Sequence, residues 1–177
     1  MKTSIATILV LLLVTACGGT EPGQHASTTS TTGSDGGAML LAADLPDAIG
    51  VVAAKAEDPD AEVAVYGRVR RTAKGVFLLV DDEAVKFCGQ EEDCGCPTPW
   101  DYCCERPEEV TAATLVVEAE DELGSPVRES DMGIRALDLV AVRGRLTKAD
   151  DGTLVLKASS GWFRRERPET PDNVKFN

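Results

Sequence analysis

The chain has 177 residues, with 30 acidic against 18 basic side chains, one histidine and six cysteines. That length allows one ordinary domain with appendages, and 43% hydrophobic residues suffice to build a core, so a wholly disordered chain is excluded. A net charge of −12 argues against a nucleic-acid-binding protein, because phosphates repel an acidic surface. A single histidine argues against His-based catalytic and metal centres, and no catalytic motif stands out, so we expect a non-enzymatic protein.

The first residues have the features of an export signal. A basic start precedes the apolar run from Ile5 to Val14, which is too short to span a bilayer as a mature helix. The sequence Val14-Thr15-Ala16-Cys17 resembles the lipobox of bacterial lipoproteins, and this resemblance implies a signal peptide of residues 1–16 and acylation of Cys17. Because Gly18 rather than Asp follows, the resemblance also favours the outer membrane. We expect a protein anchored to the cell envelope by acyl chains.

Residues 17–37 are predicted to be a linker that starts at the lipidated cysteine. Fourteen of the twenty residues from Gly18 to Gly37 are Gly, Ser or Thr. A segment of this composition buries too little apolar surface to offset its conformational entropy, so we expect it to be a disordered spacer.

Two similar segments follow a predicted short helix. The helix spans Asp44 to Glu57, where apolar residues recur at helical spacing. The segments start at Val63 and Val140, and each consists of an apolar strand with a glycine, a polar turn and a second strand, which is typical of a β-hairpin. The glycines, Gly67 and Gly144, lie within strands and therefore predict bulges or bends.

Five predicted strands suggest the fold. Thr114 to Ala119 forms a strand between the hairpins, and Leu137 to Leu146 and Leu154 to Phe163 complete the second hairpin. This arrangement matches the five-stranded, partly open barrel called the OB-fold, with a small β-sandwich as the alternative. We predict an all-β, OB-fold-like domain over residues 38–165 and a disordered tail over residues 166–177.

Ten basic residues are concentrated on or beside the predicted hairpins. They either line a groove for an anionic ligand, as in many OB-folds, or form a solvated face paired with acidic residues, and the acidic net charge favours the second interpretation. These residues are Arg68, Arg70, Arg71, Lys74, Arg143, Arg145, Lys148, Arg164, Arg165 and Arg167.

An acidic, cysteine-rich insert, residues 84–112, separates the second and third predicted strands. The stretch from Asp81 to Glu109 has ten acidic and two basic residues. Thr98 before Pro99 resembles a helix start, and a helix there would place a tryptophan on the same face as two cysteines. We expect Trp100 and Tyr102 to pack within the insert. Its cysteines are Cys88, Cys94, Cys96, Cys103 and Cys104.

Three hypotheses account for these cysteines. Exported cysteines normally oxidise, so a disulfide staple joining Cys88 or Cys96 to Cys103 or Cys104 is favoured. Alternatively, the same four thiolates bind Zn²⁺ or Cu(I), although the spacing lacks the paired C-x2-C of familiar zinc sites. Thiol chemistry is disfavoured, because it needs a thiolate stabilised by cations that an acidic insert does not supply.

The run from Cys96 to Cys104, C-P-T-P-W-D-Y-C-C, follows a Gly-Arg-Val strand and the strand from Phe77 to Asp82. Together they resemble a group of exported bacterial OB-fold proteins of uncharacterised function, over about Glu62 to Phe163. The resemblance implies a barrel and export, but it brings no known activity or ligand. We expect no cofactor unless the cysteines bind zinc or copper, and a protein or small-ligand partner stays unidentified. Cys94 is an addition to the group's pattern, and we therefore predict it to be the unpaired thiol.

Overall fold

The computed structural model describes residues 39–88 and 101–170. The predictions for the signal peptide, Cys17 and the linker lie outside these residues. So do those for Cys94, Cys96 and Trp100.

The fold is mostly β-sheet, and the all-β prediction is confirmed. The described residues contain one six-stranded sheet, two short α-helices and a 3-10 turn. The strand that the sequence did not predict is only two residues long and precedes the first helix. In chain order the elements are β1 (Ile49–Gly50), α1 (Val51–Ala54), β2 (Glu62–Ala73), β3 (Val76–Val80), α2 (Pro107–Ala112), β4 (Thr114–Glu118), the 3-10 turn (Glu129–Asp131), β5 (Leu139–Lys148) and β6 (Leu154–Glu166).

Strand pairing runs through five strands and returns to its starting point. β2 pairs antiparallel with β3, and β3 pairs antiparallel with β4. β4 is parallel to β6, which is antiparallel to β5, and β5 in turn pairs antiparallel with β2. Each of these strands therefore has two neighbours, and we call them the five-strand cycle. β1 adds to β2 as a short parallel strand.

The helix predicted over Asp44 to Glu57 is mostly absent, since only Val51–Ala54 is helical. Gly50 has extended backbone and pairs with β2, so the chain enters α1 from a strand. A Cβ on Gly50 would lie 2.8 Å from Asp81 Oδ2, the oxygen that accepts the N–H of Val52 in the first turn of the helix. Helical periodicity alone did not reveal this tertiary pairing.

Both predicted hairpins are present, and Gly144 marks an irregularity as expected. The register of β5 against β6 shifts between Val142 and Gly144. A Cβ on Gly144 would overlap the carbonyl of Lys157, so the absence of a side chain allows the two strands to approach. In β2 the shift lies between Val69 and Arg71, beyond Gly67.

The main hydrophobic core lies among the strands and includes residues of α1. Phe77 and Trp162 pack edge-to-face in it, with ring centres 5.0 Å apart. The indole N–H of Trp162 donates to the carbonyl of Met132 at 2.9 Å, which satisfies the one polar atom of this buried ring.

The ordered chain extends past the predicted end of the domain at residue 165. β6 continues through Glu166, which sequence analysis placed in the tail. Arg167 then binds both carboxylate oxygens of Asp138, at 2.8 and 2.6 Å, and Asp138 is fully buried. Arg135 donates to the carbonyl of Pro168. These polar contacts hold the start of the predicted tail against the chain before β5.

Candidate functional site

The base of the cysteine-rich insert packs against the five-strand cycle through a second hydrophobic cluster. This cluster joins the end of β3 to the insert, to α2 and to the segment before β5. It contains Tyr102, and burial raises the pKa of that phenol above its usual value. Both ends of the insert are therefore held by side-chain packing. The members of the second cluster are Val80, Val85, Phe87, Tyr102, Val110, Ala113 and Leu137.

Arg68 connects β2 to the second cluster and is only 2% exposed. Its guanidinium donates to both carboxylate oxygens of Asp82, at 2.6 and 3.2 Å, and to the carbonyl of Leu137 at 2.8 Å. It also lies 4.9 Å from the centre of the Phe87 ring. Burial alone would lower the pKa of Arg68, but the hydrogen bond and charge of Asp82 keep that pKa above its ordinary value.

The prediction that all ten basic residues lie on a solvated face or in a groove is therefore wrong for Arg68. The insert covers this part of β2, and no strand pattern predicts coverage by a remote segment. Two other members pair with exposed carboxylates, as the favoured interpretation expects: Arg143 binds Asp47 at 2.7 Å and Arg165 binds Asp44 at 2.9 Å. Arg167 instead binds the buried carboxylate of Asp138 at 2.6 Å.

Three sulfur atoms converge at the edge of the second cluster. Cys104 Sγ lies 3.7 Å from Cys88 Sγ and 3.9 Å from Cys103 Sγ, and all three sulfurs lie within 4.8 Å of one another. Cys88 is 7% exposed, whereas the other two are exposed. The structure thus brings together three of the four predicted disulfide or metal-binding cysteines. The fourth, Cys96, lies outside the described residues.

Backbone hydrogen bonds bring these sulfurs together. The N–H of Cys88 donates to the carbonyl of Asp101 at 2.6 Å, and the side chain of Asp101 accepts the N–H of Cys103 at 2.8 Å. The N–H of Lys86 donates to Glu105 Oε1 at 3.0 Å. The two arms of the insert are therefore joined beside the cysteines.

The predicted helix does not extend through the cysteines that the structure describes. Residues 101–105 form bends and a turn, and α2 begins later, at Pro107. The carboxylate of Asp101 bonds to the backbone two residues ahead, which is a turn interaction that competes with a helix. The sequence does indicate the start of α2, because a proline stands at its first position and is followed by Glu108 and Glu109.

Asp81 and Asp82 follow β3 directly, and neither was among the predicted site residues. Asp81 Oδ1 accepts the N–H groups of Glu83 and Ala84, each at 3.0 Å, while Oδ2 binds the start of α1. Asp82 neutralises Arg68. Two acidic residues directly after an apolar strand indicated that carboxylates bind the backbone and a cation at the start of the insert.

A surface groove of about 740 Å³ lies on another part of the molecule. Its walls are the segment 39–41, the loop 120–123 and part of β6 around Gly161. Leu123 in this loop is 90% exposed, and acidic residues flank it. The groove does not include any of the predicted site residues.

Among residues 39–88 and 101–170, no helix has the length and apolar character needed to cross a membrane. Comparisons with known proteins found no matching family model, no matching curated protein and no matching solved structure.

Proposed function

We propose that this chain is a lipid-anchored, non-enzymatic binding module of the cell envelope, in which an OB-fold-like barrel presents the acidic, cysteine-rich insert to a cationic partner. The anchor is Cys17, after removal of a signal peptide of residues 1–16, and the favoured membrane is the outer membrane. The partner is a basic protein surface rather than a nucleic acid.

The pairing of the five-strand cycle supports the barrel. Every strand of the cycle has two paired neighbours, and β4 and β6 are parallel while the other pairs are antiparallel. Closure of a small sheet removes its free edges and gives a rigid support for loops. The insert leaves the cycle between β3 and β4, which are paired neighbours.

The observation that carries the binding proposal is the fixed base of the insert. The second hydrophobic cluster and buried Arg68 hold both ends of the insert against the cycle. A loop fixed at its base costs less entropy to order on binding than a free one. Because the stretch from Asp81 to Glu109 has eight more acidic than basic residues, its electrostatic field favours a basic partner.

Membrane fractionation of the full chain in a bacterial host tests the anchor. Wild type is expected to float with membranes and to incorporate labelled palmitate. Cys17→Ala is expected to lose both properties, because the lipobox then has no thiol to acylate, while the control Cys94→Ala keeps them. A Cys17→Ala protein that still floats and carries palmitate would refute the anchor.

Site-specific photo-crosslinking in the producing cells tests the binding surface. A photoreactive residue replacing Glu108, which is exposed in α2, is expected to give one discrete adduct that weakens as salt increases. The same residue replacing Lys148, exposed at the end of β5, is the control and should give none. Equal adducts at both positions, or none at Glu108, would contradict the proposal.

A disulfide staple through Cys88 is part of this proposal. Its support is the disulfide-bonded state of Cys88. Cys104 is a free cysteine, so this bond is not the predicted pairing of Cys88 with Cys104. A bond within the insert would reduce the entropy of its unfolded form. Intact mass before and after reduction checks it, with a 2 Da increase expected for each bond.

Soft-metal binding is the second candidate function, and it applies to the reduced protein. It is favoured by the convergence of the sulfurs of Cys88, Cys103 and Cys104 within 4.8 Å. Three thiolates with a fourth from Cys96 would suit the tetrahedral preference of Zn²⁺, and fewer would suit Cu(I).

Elemental analysis under reducing conditions tests the metal candidate. We expect one equivalent of zinc or copper in the reduced full chain, retained by Cys94→Ser and lost in Cys104→Ser. Reduced wild type without stoichiometric metal would rule this candidate out.

A further inference from the structure

The thiol of Cys104 lies beside the sulfur that carries the proposed staple. Its Sγ is 3.7 Å from Cys88 Sγ, close to van der Waals contact and about 1.7 Å longer than a disulfide bond. Cys104 is exposed and free, whereas Cys88 is buried and disulfide-bonded. The thiolate form of Cys104 is a nucleophile, and the neighbouring sulfur of Cys88 is half of a bond that such a nucleophile attacks. Proximity to Cys88, rather than stabilisation of the thiolate by cations, is what favours this step.

We propose that Cys104 and Cys88 form a thiol–disulfide exchange site, through which the insert changes between two disulfide connectivities. This inference rests on the proposed staple, but it does not depend on the anchor, on the barrel or on the bound partner.

The exchange step balances within the chain. The thiolate of Cys104 attacks Cys88 Sγ and forms the Cys88–Cys104 bond. The bond from Cys88 to its earlier partner breaks, and its electron pair leaves with that partner's sulfur, which takes up the proton lost by Cys104. One thiol and one disulfide are present before and after, so no outside oxidant or reductant is required.

The local structure favours this particular exchange. The hydrogen bond from the Cys88 N–H to the carbonyl of Asp101 fixes the two arms of the insert side by side, so the new bond needs a small movement of sulfur atoms. The result would add a covalent bond between two arms that hydrogen bonds and the packing of the second cluster hold together in the described residues. The exchange also transfers the free thiol from exposed Cys104 to another cysteine, which changes the site open to modification.

Disulfide mapping of the full chain tests the inference. The protein is equilibrated in a buffer of oxidised and reduced glutathione with a chelator present, thiols are blocked, and a protease that cleaves before Asp is added. This cleavage separates the cysteines into peptides 82–92, 93–100 and 101–120. We expect two products that contain peptide 82–92: one linked to 93–100 and one linked to 101–120.

Matched serine variants identify the sulfur that attacks. Cys104→Ser is expected to lose the link between peptides 82–92 and 101–120 completely, while Cys103→Ser keeps it. Circular dichroism checks that both variants fold. If peptide 82–92 is linked only to 93–100, or if Cys104 bonds only to Cys103, the exchange proposal is wrong although the staple stands. If peptide 82–92 is never linked, the staple itself fails.

Discussion

The burial of Arg68 shows a contact that strand alternation alone does not predict. Arg68 lies between Gly67 and Val69 in β2, so strand alternation places its side chain on the face opposite theirs. The burial of Arg68 depends on Asp82 and Leu137, which are 14 and 69 residues away in sequence. A pattern with a period of two residues has no information about a segment that folds over the strand from outside, so the buried ion pair was not predictable.

Replacing Arg68 with methionine should destabilise the protein strongly. Arg68→Met leaves the carboxylate of Asp82 and the carbonyl of Leu137 without their buried donor, and we expect a loss of about 3–5 kcal/mol in the free energy of unfolding. Urea denaturation measures it. Arg145→Met, at an exposed position of β5, is the matched control and should change stability by less than about 0.5 kcal/mol.

A second variant separates the lost ion pair from a general packing effect. Adding Asp82→Leu to Arg68→Met removes the orphaned charge and should restore part of the lost stability. Equal stabilities for Arg68→Met and Arg145→Met would show that the buried ion pair does not hold the insert.

At the scale of elements, the five longer strands were predictable, while β1 and the helices were not. The apolar alternation of β2 and β5 and the polar turns after them are local signals, and the structure has both hairpins where these signals occur. α1 is short because Gly50 pairs with β2, and α2 starts at Pro107 because the cysteines before it form a turn. The first outcome depends on a contact between distant segments, whereas the second follows from a local turn at Asp101.

Gly144→Ala should destabilise the pairing of β5 and β6. The added methyl group would overlap the backbone of Lys157, and we expect a loss of about 1–3 kcal/mol in the free energy of unfolding. Gly161→Ala is a useful comparison, since its Cβ would overlap the carbonyl of Met39 instead, in the segment that bonds to Trp162. Hydrogen exchange should show loosening of residues 39–41 in Gly161→Ala and of β5 in Gly144→Ala. The reverse pattern would contradict these close contacts.

The segment before β1 should lose two ion pairs in acid. Hydrogen bonds from Arg165 and Arg143 hold the pKa values of Asp44 and Asp47 below the usual 3.8. Because these pKa values are lowered in the folded state, the pairs stabilise it above the unfolded pKa and lose their contribution as the pH falls through the folded values.

Urea denaturation of wild type and of Asp44→Asn/Asp47→Asn measures this effect. Wild type should be the more stable at pH 6, and the difference should shrink as the pH falls below 3.8 and through the lowered folded pKa values. It should also shrink in about 1 M salt, since both carboxylates are exposed. A difference that is constant across this pH range would show that the pairs do not stabilise the segment.

At the scale of the molecule, the described residues contain two hydrophobic clusters that stabilise different parts of the fold. The main core holds the strands together, while the second cluster holds the base of the insert. Sequence periodicity indicates the strand residues of the first, because apolar residues alternate along these strands. It did not locate the second, whose residues come from the end of a strand, the two arms of the insert, α2 and Leu137. Leu137 has a positive φ of 70°, a conformation that no local pattern indicates for leucine.

Phe77 and Phe87 allow the two clusters to be compared with the same substitution, because both rings are buried, at 1% and 3% exposure. Phe77→Ala removes the edge-to-face partner of Trp162 and should cost about 3–5 kcal/mol in global stability. Phe87→Ala should open the insert locally, since the main core keeps all its members. Native-state hydrogen exchange should then show lost protection in residues 80–88 and 101–113 for Phe87→Ala, with β5 and β6 still protected. Uniform loss of protection in both variants would mean that the two clusters unfold as one unit, and the insert would be part of the core rather than a surface that the strands present.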